Sequence, residues 1–264
     1  MNSKFHESFY SYAKYYDIAF GFKDVPREYL FLKEIFLKHS GRALQSFIEF
    51  GAGPASHCLE MAKAMRNVLA IDLSEEMVDY ALKKALESDL SIQVECANMV
   101  SYQTNERFDM ATLLMDSSAY LLTNDQMIQH LRSVANTLNA DGLYILEMSH
   151  PKSVFDLSRT TLSEWEMERD SVKVKVQWGG EGDSFDPIAQ LTEVSVRLEY
   201  EDQGKSGVIE DKSLQRCFSA TEFDALVKAS GVFQIVEYFG GMDSNLPFNN
   251  DKQSWRMVPV LKKL

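Results

Sequence analysis

A glycine-containing turn between two apolar segments constrains this sequence more than any other feature. Ser46–Phe50 is predicted to be a short buried strand, residues 51–55 form the turn, and a helical pattern begins at Ser56. Glycines let a tight turn bring its backbone close to a ligand, and the N-terminus of the following helix offers unpaired N–H groups. The pattern therefore predicts a strand–turn–helix unit that binds a small molecule.

An acidic residue closes the next predicted strand. Residues 67–71 are mainly apolar, and Asp72 follows them directly. Open α/β sheets bind ligands outside the carboxyl ends of their strands, where a carboxylate can accept hydrogen bonds from a ribose diol. Asp72 is therefore the predicted ribose ligand, and an exposed strand-end acid is the alternative.

Strands and helices alternate from residue 45 to about residue 150. The further elements are predicted at residues 56–65, 74–87, 92–96, 108–115, from 123 onward, and 143–148. Two last strands are expected at residues 233–239 and 256–261. This alternation predicts an α/β fold with a doubly wound, seven-stranded, mostly parallel sheet that helices cover on both faces.

The apolar period changes to two after Pro151. Val172, Val174 and Val176 alternate with polar residues, and residues 194–200 repeat the pattern. Period two indicates antiparallel strands with one solvent-facing side. We predict an antiparallel β insertion at residues 160–217, after the fifth strand.

The N-terminal residues are rich in aromatic side chains, with eight Phe or Tyr between residues 5 and 22. Residues 29–39 follow with a helical apolar pattern that Gly41 ends. We predict that residues 1–44 form a helical lid. The remaining chain, residues 45–264, would then be one domain that carries the insertion.

Residues 45–150 resemble class I S-adenosylmethionine (SAM)-dependent methyltransferases. The E-x-G-x-G sequence at residues 49–53 is similar to their first motif, and residues 71–78 are similar to their second-strand segment. The Ala-Asn-Met sequence at residues 97–99 is similar to the segment that brackets adenine, and residues 138–143 to the turn before the fifth strand.

Two positions depart from the pattern of that family. Ala55 stands where a third glycine is usual, and Asn98 stands where an acid is common. An amide can both donate to and accept from adenine, so Asn98 is compatible with the same ligand.

The resemblance implies SAM as cofactor and S-adenosylhomocysteine as product. Glu49, Gly51 and Gly53 would lie by the methionine part of SAM, and Asp72 would hold the ribose. The complete implied set of cofactor-binding residues is Tyr16, Glu49, Gly51, Ala52, Gly53, Asp72, Leu73, Met77, Asn98, Met99, Met115 and Asp116. Leu73 and Met77 would pack near adenine, with Asn98 and Met99 at its edge, and Met115 and Asp116 would border the sulfonium.

Two residues are candidates for a catalytic role. The Tyr15-Tyr16-Asp17 sequence and the insertion resemble small-molecule methyltransferases, particularly amino-sugar and glycine-type N-methyltransferases, in which a tyrosine before an aspartate reaches the cofactor. His150 ends the fifth strand and could be a general base with a pKa near neutrality. A turn residue before Pro151 is the alternative for His150, and ordinary aromatic packing is the alternative for Tyr16.

The predicted function is methyl transfer from SAM to nitrogen or oxygen of a small-molecule acceptor. An NAD(P)-dependent oxidoreductase is one alternative, although the dinucleotide fingerprint calls for glycine at position 56 and for no acid at position 49. A non-catalytic SAM- or metabolite-binding protein is another. A peptide acceptor also stays open.

Charge and cysteine content limit the partners. The net charge of −12 gives little of the basic surface that nucleic-acid phosphates need. The three cysteines lack CxxC spacing, so we expect no metal site, and their odd number favours a reducing cytoplasm. We expect no signal peptide and no membrane span, since the chain has no sufficiently long apolar run. A homodimer through the insertion is left open.

Overall fold

The computed structural model describes residues 9–155 and 163–264. Residues 1–8 of the predicted lid and residues 160–162 of the predicted insertion lie outside the described residues.

Two helices precede the first strand. A 3-10 turn at Phe9–Ser11 leads into α1 (Ala13–Ala19) and α2 (Val25–Ser40). The α2 helix begins earlier than the predicted residue 29, because Asp24 accepts a hydrogen bond from the Arg27 amide at 3.2 Å and Pro26 is tolerated in a first helical turn. Below, residues 9–24 are called the N-terminal segment.

Residues 46–146 follow the predicted order of strands and helices, and an unpredicted short strand and short helix come after them. In chain order these elements are β1 (Ser46–Phe50), α3 (Ser56–Ala62), β2 (Asn67–Asp72), α4 (Glu75–Glu87), β3 (Gln93–Cys96), β4 (Phe108–Leu113), α5 (Asn124–Thr137), β5 (Leu138–Leu146), β6 (Met148–Ser149) and α6 (Pro151–Val154). The β5 strand begins at Leu138 rather than at the predicted residue 143. The predicted turn at Asp141 is an irregularity inside this strand, where Asp141 has a left-handed φ of 61° and the pairing with β4 shifts register.

Five antiparallel strands follow, which we call the insertion sheet. They are β7 (Ser163–Arg169), β8 (Val172–Trp178), β9 (Phe185–Asp186), β10 (Leu191–Asp202) and β11 (Lys205–Arg216), in the order β11-β10-β8-β7 with β9 beside β10. Its apolar face, which includes Val174, Val176 and Leu198, is buried with the aromatic residues of the N-terminal segment. The predicted antiparallel sheet is therefore present.

The chain then returns to the main sheet through α7 (Ala220–Ser230), β12 (Phe233–Phe239) and β13 (Arg256–Lys263). The main sheet has the order β12-β13-β5-β4-β1-β2-β3, with β6 paired to β13. Its pairs from β5 to β3 are parallel, whereas β13 runs antiparallel to both of its neighbours.

Helices cover both faces of the main sheet. The core on one face includes residues of α5 and α7, such as Leu131 and Phe223, and the core on the other face includes residues of α2 and α3, such as Phe36 and Met61. The predicted α/β class, with a mostly parallel sheet and an antiparallel addition, is confirmed. This architecture brings the carboxyl ends of β1, β2 and β4 together at one edge.

Candidate cofactor-binding site

A cavity of about 1440 Å³ lies at that edge. Its floor comes from the residues that follow the central strands, including Gly51, Asp72 and Met115. The N-terminal segment contributes Tyr16 to the wall, and the insertion sheet contributes Trp178. Three parts of the chain that are distant in sequence therefore enclose one space.

The glycine turn after β1 has a backbone that requires glycine at its first position. Gly51 and Gly53 have left-handed φ angles of 57° and 51°. A Cβ on Gly51 would stand 3.2 Å from both Cβ and Oγ of Ser117, whereas a Cβ on Gly53 would meet Tyr16 at an ordinary 3.7 Å. The turn therefore keeps open a surface that a side chain at residue 51 would fill.

Asp72 connects this turn to the end of β2. Its Oδ2 accepts a hydrogen bond from the Gly53 amide at 2.7 Å, and its Oδ1 accepts one from the Ser74 amide at 2.9 Å. Burial raises the pKa of Asp72, while these two backbone amides oppose the rise. Each carboxylate oxygen has a further lone pair, so Asp72 can accept hydroxyl donors from a ligand in the cavity.

The predicted adenine-binding residues fall into two groups. Leu73, Asn98 and Met99 border the cavity, and Leu73 is 69% exposed. The Asn98 side chain accepts a hydrogen bond from the Val100 amide at 2.8 Å, which fixes the loop after β3. Met77 is fully buried and does not border the cavity, because α4 turns its side chain toward the core.

Glu49 and Ala52 support the glycine turn from behind. Neither residue borders the cavity. Glu49 is buried, and its Oε1 lies 3.4 Å from Nδ1 of His57. Burial alone would lower the pKa of His57, but Glu49 and Glu28 outweigh it and raise that pKa to about 9. A protonated His57 therefore lies between the two acids and compensates part of the negative charge of Glu49.

Met115 and Asp116 form a turn after β4 that borders the cavity, called the 115–116 turn below. Both have left-handed φ angles, 55° and 62°, which is unusual for two consecutive residues that are not glycine. Ser149 donates to the Asp116 carboxylate through its amide at 2.9 Å and through its hydroxyl. Burial raises the pKa of Asp116, against the lowering effect of Arg256 and Ser149. Strained turns of this kind are concentrated at functional sites.

Glu147 holds the 115–116 turn in place, and our sequence analysis missed it. Its Oε2 accepts a hydrogen bond from the Met115 amide at 3.0 Å, and its backbone carbonyl accepts one from the Asp116 amide at 2.9 Å. Burial alone would raise the pKa of Glu147, but Lys23 and Arg256 lower it to about 2. The available signal was an acid at the end of an otherwise apolar strand.

Aromatic residues of the N-terminal segment close the cavity from above. Tyr16 packs against Tyr10 and Phe20, with ring centroids 5.6 and 4.6 Å away. Tyr10 shares a hydrogen bond with the hydroxyl of Tyr120, and both line the cavity. Burial, followed by the neighbouring Tyr120 and Asp72, raises the pKa of Tyr16 well above its usual value, so its hydroxyl stays a neutral donor.

His150 does not border the cavity. Its Nδ1 accepts a hydrogen bond from the Lys152 amide at 3.1 Å, and its Nε2 lies 3.0 Å from the Asn249 carbonyl. Burial lowers the pKa of His150. The ring thus caps α6 and anchors the loop before β13, which corrects our expectation of a base that faces the cavity.

The cavity wall carries more negative than positive groups. Of the residues that the structure describes, five carboxylates line it: Asp72, Glu76, Asp116, Glu181 and Asp183. Two guanidinium groups also line it, but Arg216 pairs with Glu222 and Arg256 pairs with Glu147. The wall therefore favours a cationic occupant.

These residues fit SAM. The open backbone at Gly51 suits a close approach of the ligand. The carboxylate of Asp72 suits a ribose diol, and the acidic wall suits a cationic ligand. Within residues 9–155 and 163–264, no cluster of three His, Cys, Asp or Glu side chains could hold a metal ion. Over the same two stretches, no helix is long and apolar enough to cross a membrane.

Comparison of the sequence with protein families assigns the region around this cavity. Residues 47–142 match the family model described as a methyltransferase domain. This segment holds the glycine turn, Asp72, the loop after β3 and the 115–116 turn.

One curated relative is a protein of Geobacillus sp. (strain WCH70) whose name includes the word methyltransferase. It is 29% identical over 113 residues, which are 42% of this chain and 46% of that protein. The chain spans about half the length of the curated relatives that it matches.

Solved structures extend the similarity beyond the methyltransferase domain. A SAM-dependent methyltransferase from Clostridium acetobutylicum has a TM-score of 0.78 at 18% identity and covers 94% of this chain and 96% of its own. SAM-bound CalS10, an amino pentose methyltransferase from Micromonospora echinaspora, has a TM-score of 0.73 at 16% identity and covers 94% and 96%. The fold of the chain is that of class I methyltransferases, which confirms the resemblance drawn from the sequence.

Proposed function

We propose that this protein is a SAM-dependent methyltransferase that methylates the nitrogen of a small-molecule amine. The observation that carries the proposal is Asp72, which closes the glycine turn at 2.7 Å and borders the cavity. The methyltransferase domain at residues 47–142 supports the activity, and the acidic cavity wall supports a cationic acceptor.

When bound, SAM supplies a methyl group that its sulfonium already activates. The chain then has to bind, align and exclude water, since direct displacement depends on orientation more than on a nucleophilic side chain. The glycine turn, Asp72 and the loop at Asn98 would hold the cofactor. Tyr16 and its aromatic neighbours in the N-terminal segment would exclude water.

An amine acceptor needs a proton acceptor, because a protonated amine has no lone pair for attack. Asp116 borders the cavity, and burial raises its pKa toward the range in which it could take a proton. It is our candidate for this role in place of His150. The neighbour CalS10 acts on an amino pentose, which is compatible with a small polar amine as acceptor here.

Calorimetric titration of the purified protein tests the proposal. We expect micromolar binding of SAM and S-adenosylhomocysteine and none of NADPH, and S-adenosylhomocysteine formation with members of a panel of small amines. Binding of NADPH alone would favour the alternative of an NAD(P)-dependent oxidoreductase. Binding of SAM without product from amines, alcohols or peptides would favour a binding protein. We also propose a cytoplasmic location, which fractionation of the source cells would check.

A further inference from the structure

Six charged side chains of alternating sign form a continuous row of ion pairs beneath the cavity. They are Arg256, Glu147, Lys23, Glu28, His57 and Glu49, in spatial order. The successive nitrogen–oxygen distances are 3.3, 2.8, 3.1, 2.6 and 3.4 Å. One end of this row of ion pairs, Glu49, lies behind the glycine turn. The other end, Arg256, borders the cavity.

Lys23 occupies the middle of this row of ion pairs and comes from the N-terminal segment. Its side chain is only 8% exposed, and it bridges two acids, Glu28 of α2 and Glu147 after β5, whose side chains are 12% and 1% exposed. Removal of one partner from a buried ion pair leaves an uncompensated charge, which is strongly unfavourable. Movement of Lys23 away from the core would leave Glu147 with Arg256 alone and Glu28 with His57 alone, so each buried acid would lose part of its charge compensation.

Glu147 transmits the position of Lys23 to the cavity floor. The same oxygen, Oε2, receives the Lys23 ammonium at 2.8 Å and the Met115 amide at 3.0 Å. The ion pairs of Asp17 with Lys84 and Arg169 also hold the N-terminal segment, but they tie it to α4 and β7 and do not reach the 115–116 turn.

We propose that Lys23 is a positioning residue that locks the N-terminal segment over the cavity and, through Glu147, sets the shape of the 115–116 turn. The lock consists of contacts within the chain. Its meaning for catalysis rests on the function proposed above, because the turn would then border the methyl donor.

Hydrogen–deuterium exchange of the ligand-free protein tests the lock. Lys23→Met is the main variant, Lys23→Arg restores the charge, and Lys14→Met removes another ion pair of the N-terminal segment, that with Asp202. We expect Lys23→Met to raise exchange at residues 10–20 and at the Met115 amide by about tenfold or more, with β1 and β4 unchanged. Lys23→Arg should recover most of the protection, and Lys14→Met should leave the Met115 amide as in the wild type.

Unchanged exchange at Met115 in Lys23→Met would overturn the proposal, as would an equal increase in Lys14→Met. Should Lys23→Met fail to fold, Glu147→Gln keeps an oxygen for the Met115 amide but loses the charge that holds Lys23, and it should raise exchange at residues 10–20 and at the Met115 amide as Lys23→Met does. Wild-type hydrogen–deuterium exchange at residues 10–20 in Glu147→Gln would also overturn the proposal.

Binding of SAM by the wild type tests the proposed function separately from the lock. Failure of the wild type to bind SAM would reject that function and leave the exchange result standing. If the wild type binds SAM, Lys23→Met should bind it at least about fivefold more weakly and Lys23→Arg within about twofold.

Discussion

The Asp72 carboxylate accepts the Gly53 amide at 2.7 Å and thereby joins the end of β2 to the turn after β1. The two residues are 19 positions apart in the sequence, and the parallel pairing of β1 with β2 brings them together. This bond fixes the shape of the turn through groups of the chain itself. Because the turn is held in this way, a ligand that binds at Asp72 should lose little free energy in ordering it.

Replacement of Asp72 by alanine should weaken SAM binding by tenfold or more, roughly the value of one or two charge-assisted hydrogen bonds. Asp72→Asn, which keeps one acceptor oxygen, should lie between alanine and the wild type. Calorimetry would measure both, with Asp79→Ala, an exposed acid on α4, as the control. Wild-type affinity in Asp72→Ala would remove the ribose assignment.

Gly51→Ala should lower both stability and SAM affinity. A left-handed φ of 57° costs a residue with a side chain about 1–2 kcal/mol, and the new Cβ would crowd Ser117 at 3.2 Å. Gly41→Ala is a matched control, because its φ is 70° and its Cβ would meet nothing within 4 Å. Urea unfolding should show a loss in both variants, and only Gly51→Ala should bind SAM less tightly. Equal SAM affinity in the two variants would contradict close ligand approach at the glycine turn.

Asp116→Asn should lower the turnover of an amine acceptor by about a hundredfold. In the wild type the rate should fall at acidic pH, because below its raised pKa the Asp116 carboxyl is protonated and cannot accept a proton. The Asp116→Asn variant should not show this fall. Asp183→Asn is the control: Asp183 lines the same cavity and accepts from the amide and hydroxyl of Ser195 at 3.0 and 2.6 Å. An unchanged pH–rate profile in Asp116→Asn would assign the proton to another group.

His57 should make the unfolding free energy depend on pH. Its folded pKa of about 9 lies above the ordinary 6.5, so its contribution is complete below pH 6.5 and is lost as the pH rises through 9. The shift corresponds to at most about 3 kcal/mol. Urea unfolding across this range should give a falling stability that His57→Gln flattens. His130→Gln should keep the wild-type slope, because burial lowers the pKa of His130 to about 4 and leaves it neutral throughout.

Tyr16→Phe should keep the fold and weaken SAM binding about fivefold, the net value of one hydrogen bond. The ring packing with Tyr10 and Phe20 would be retained, so thermal unfolding should change little. Tyr15→Phe loses a hydroxyl that donates to Asp202 instead, and it should bind SAM as the wild type does. Equal affinities in the two variants would leave Tyr16 with a packing role only.

Apolar periodicity predicted the fold well, because it reports which face of each element is buried. It misplaced the starts of α2 and β5, where a side-chain cap at Asp24 and an irregularity at Asp141 decide the boundary. These local hydrogen bonds and backbone angles leave little trace in a hydrophobic pattern.

Several predicted site residues do border the cavity, including Gly51, Asp72, Asn98 and Asp116, and their roles stay predictions. Met77 and His150 do not, since spacing along the chain cannot tell which way a side chain turns. Glu147 is visible in the sequence as an acid at the end of an apolar strand, but its role is not, because its partner Lys23 is 124 residues away. Contacts over such distances exist only after the sheet has formed.

The outer wall of the cavity is formed by aromatic residues of the N-terminal segment and of the insertion sheet. Phe20 of the N-terminal segment packs edge-on against Trp165 and Trp178 of the insertion sheet, and the Trp165 indole donates to the Ala19 carbonyl at 2.7 Å. A substitution in either region therefore changes the packing of the other. A chimera that exchanges the insertion sheet alone would carry mismatched halves of one wall, and one that exchanges both regions would carry a complete wall.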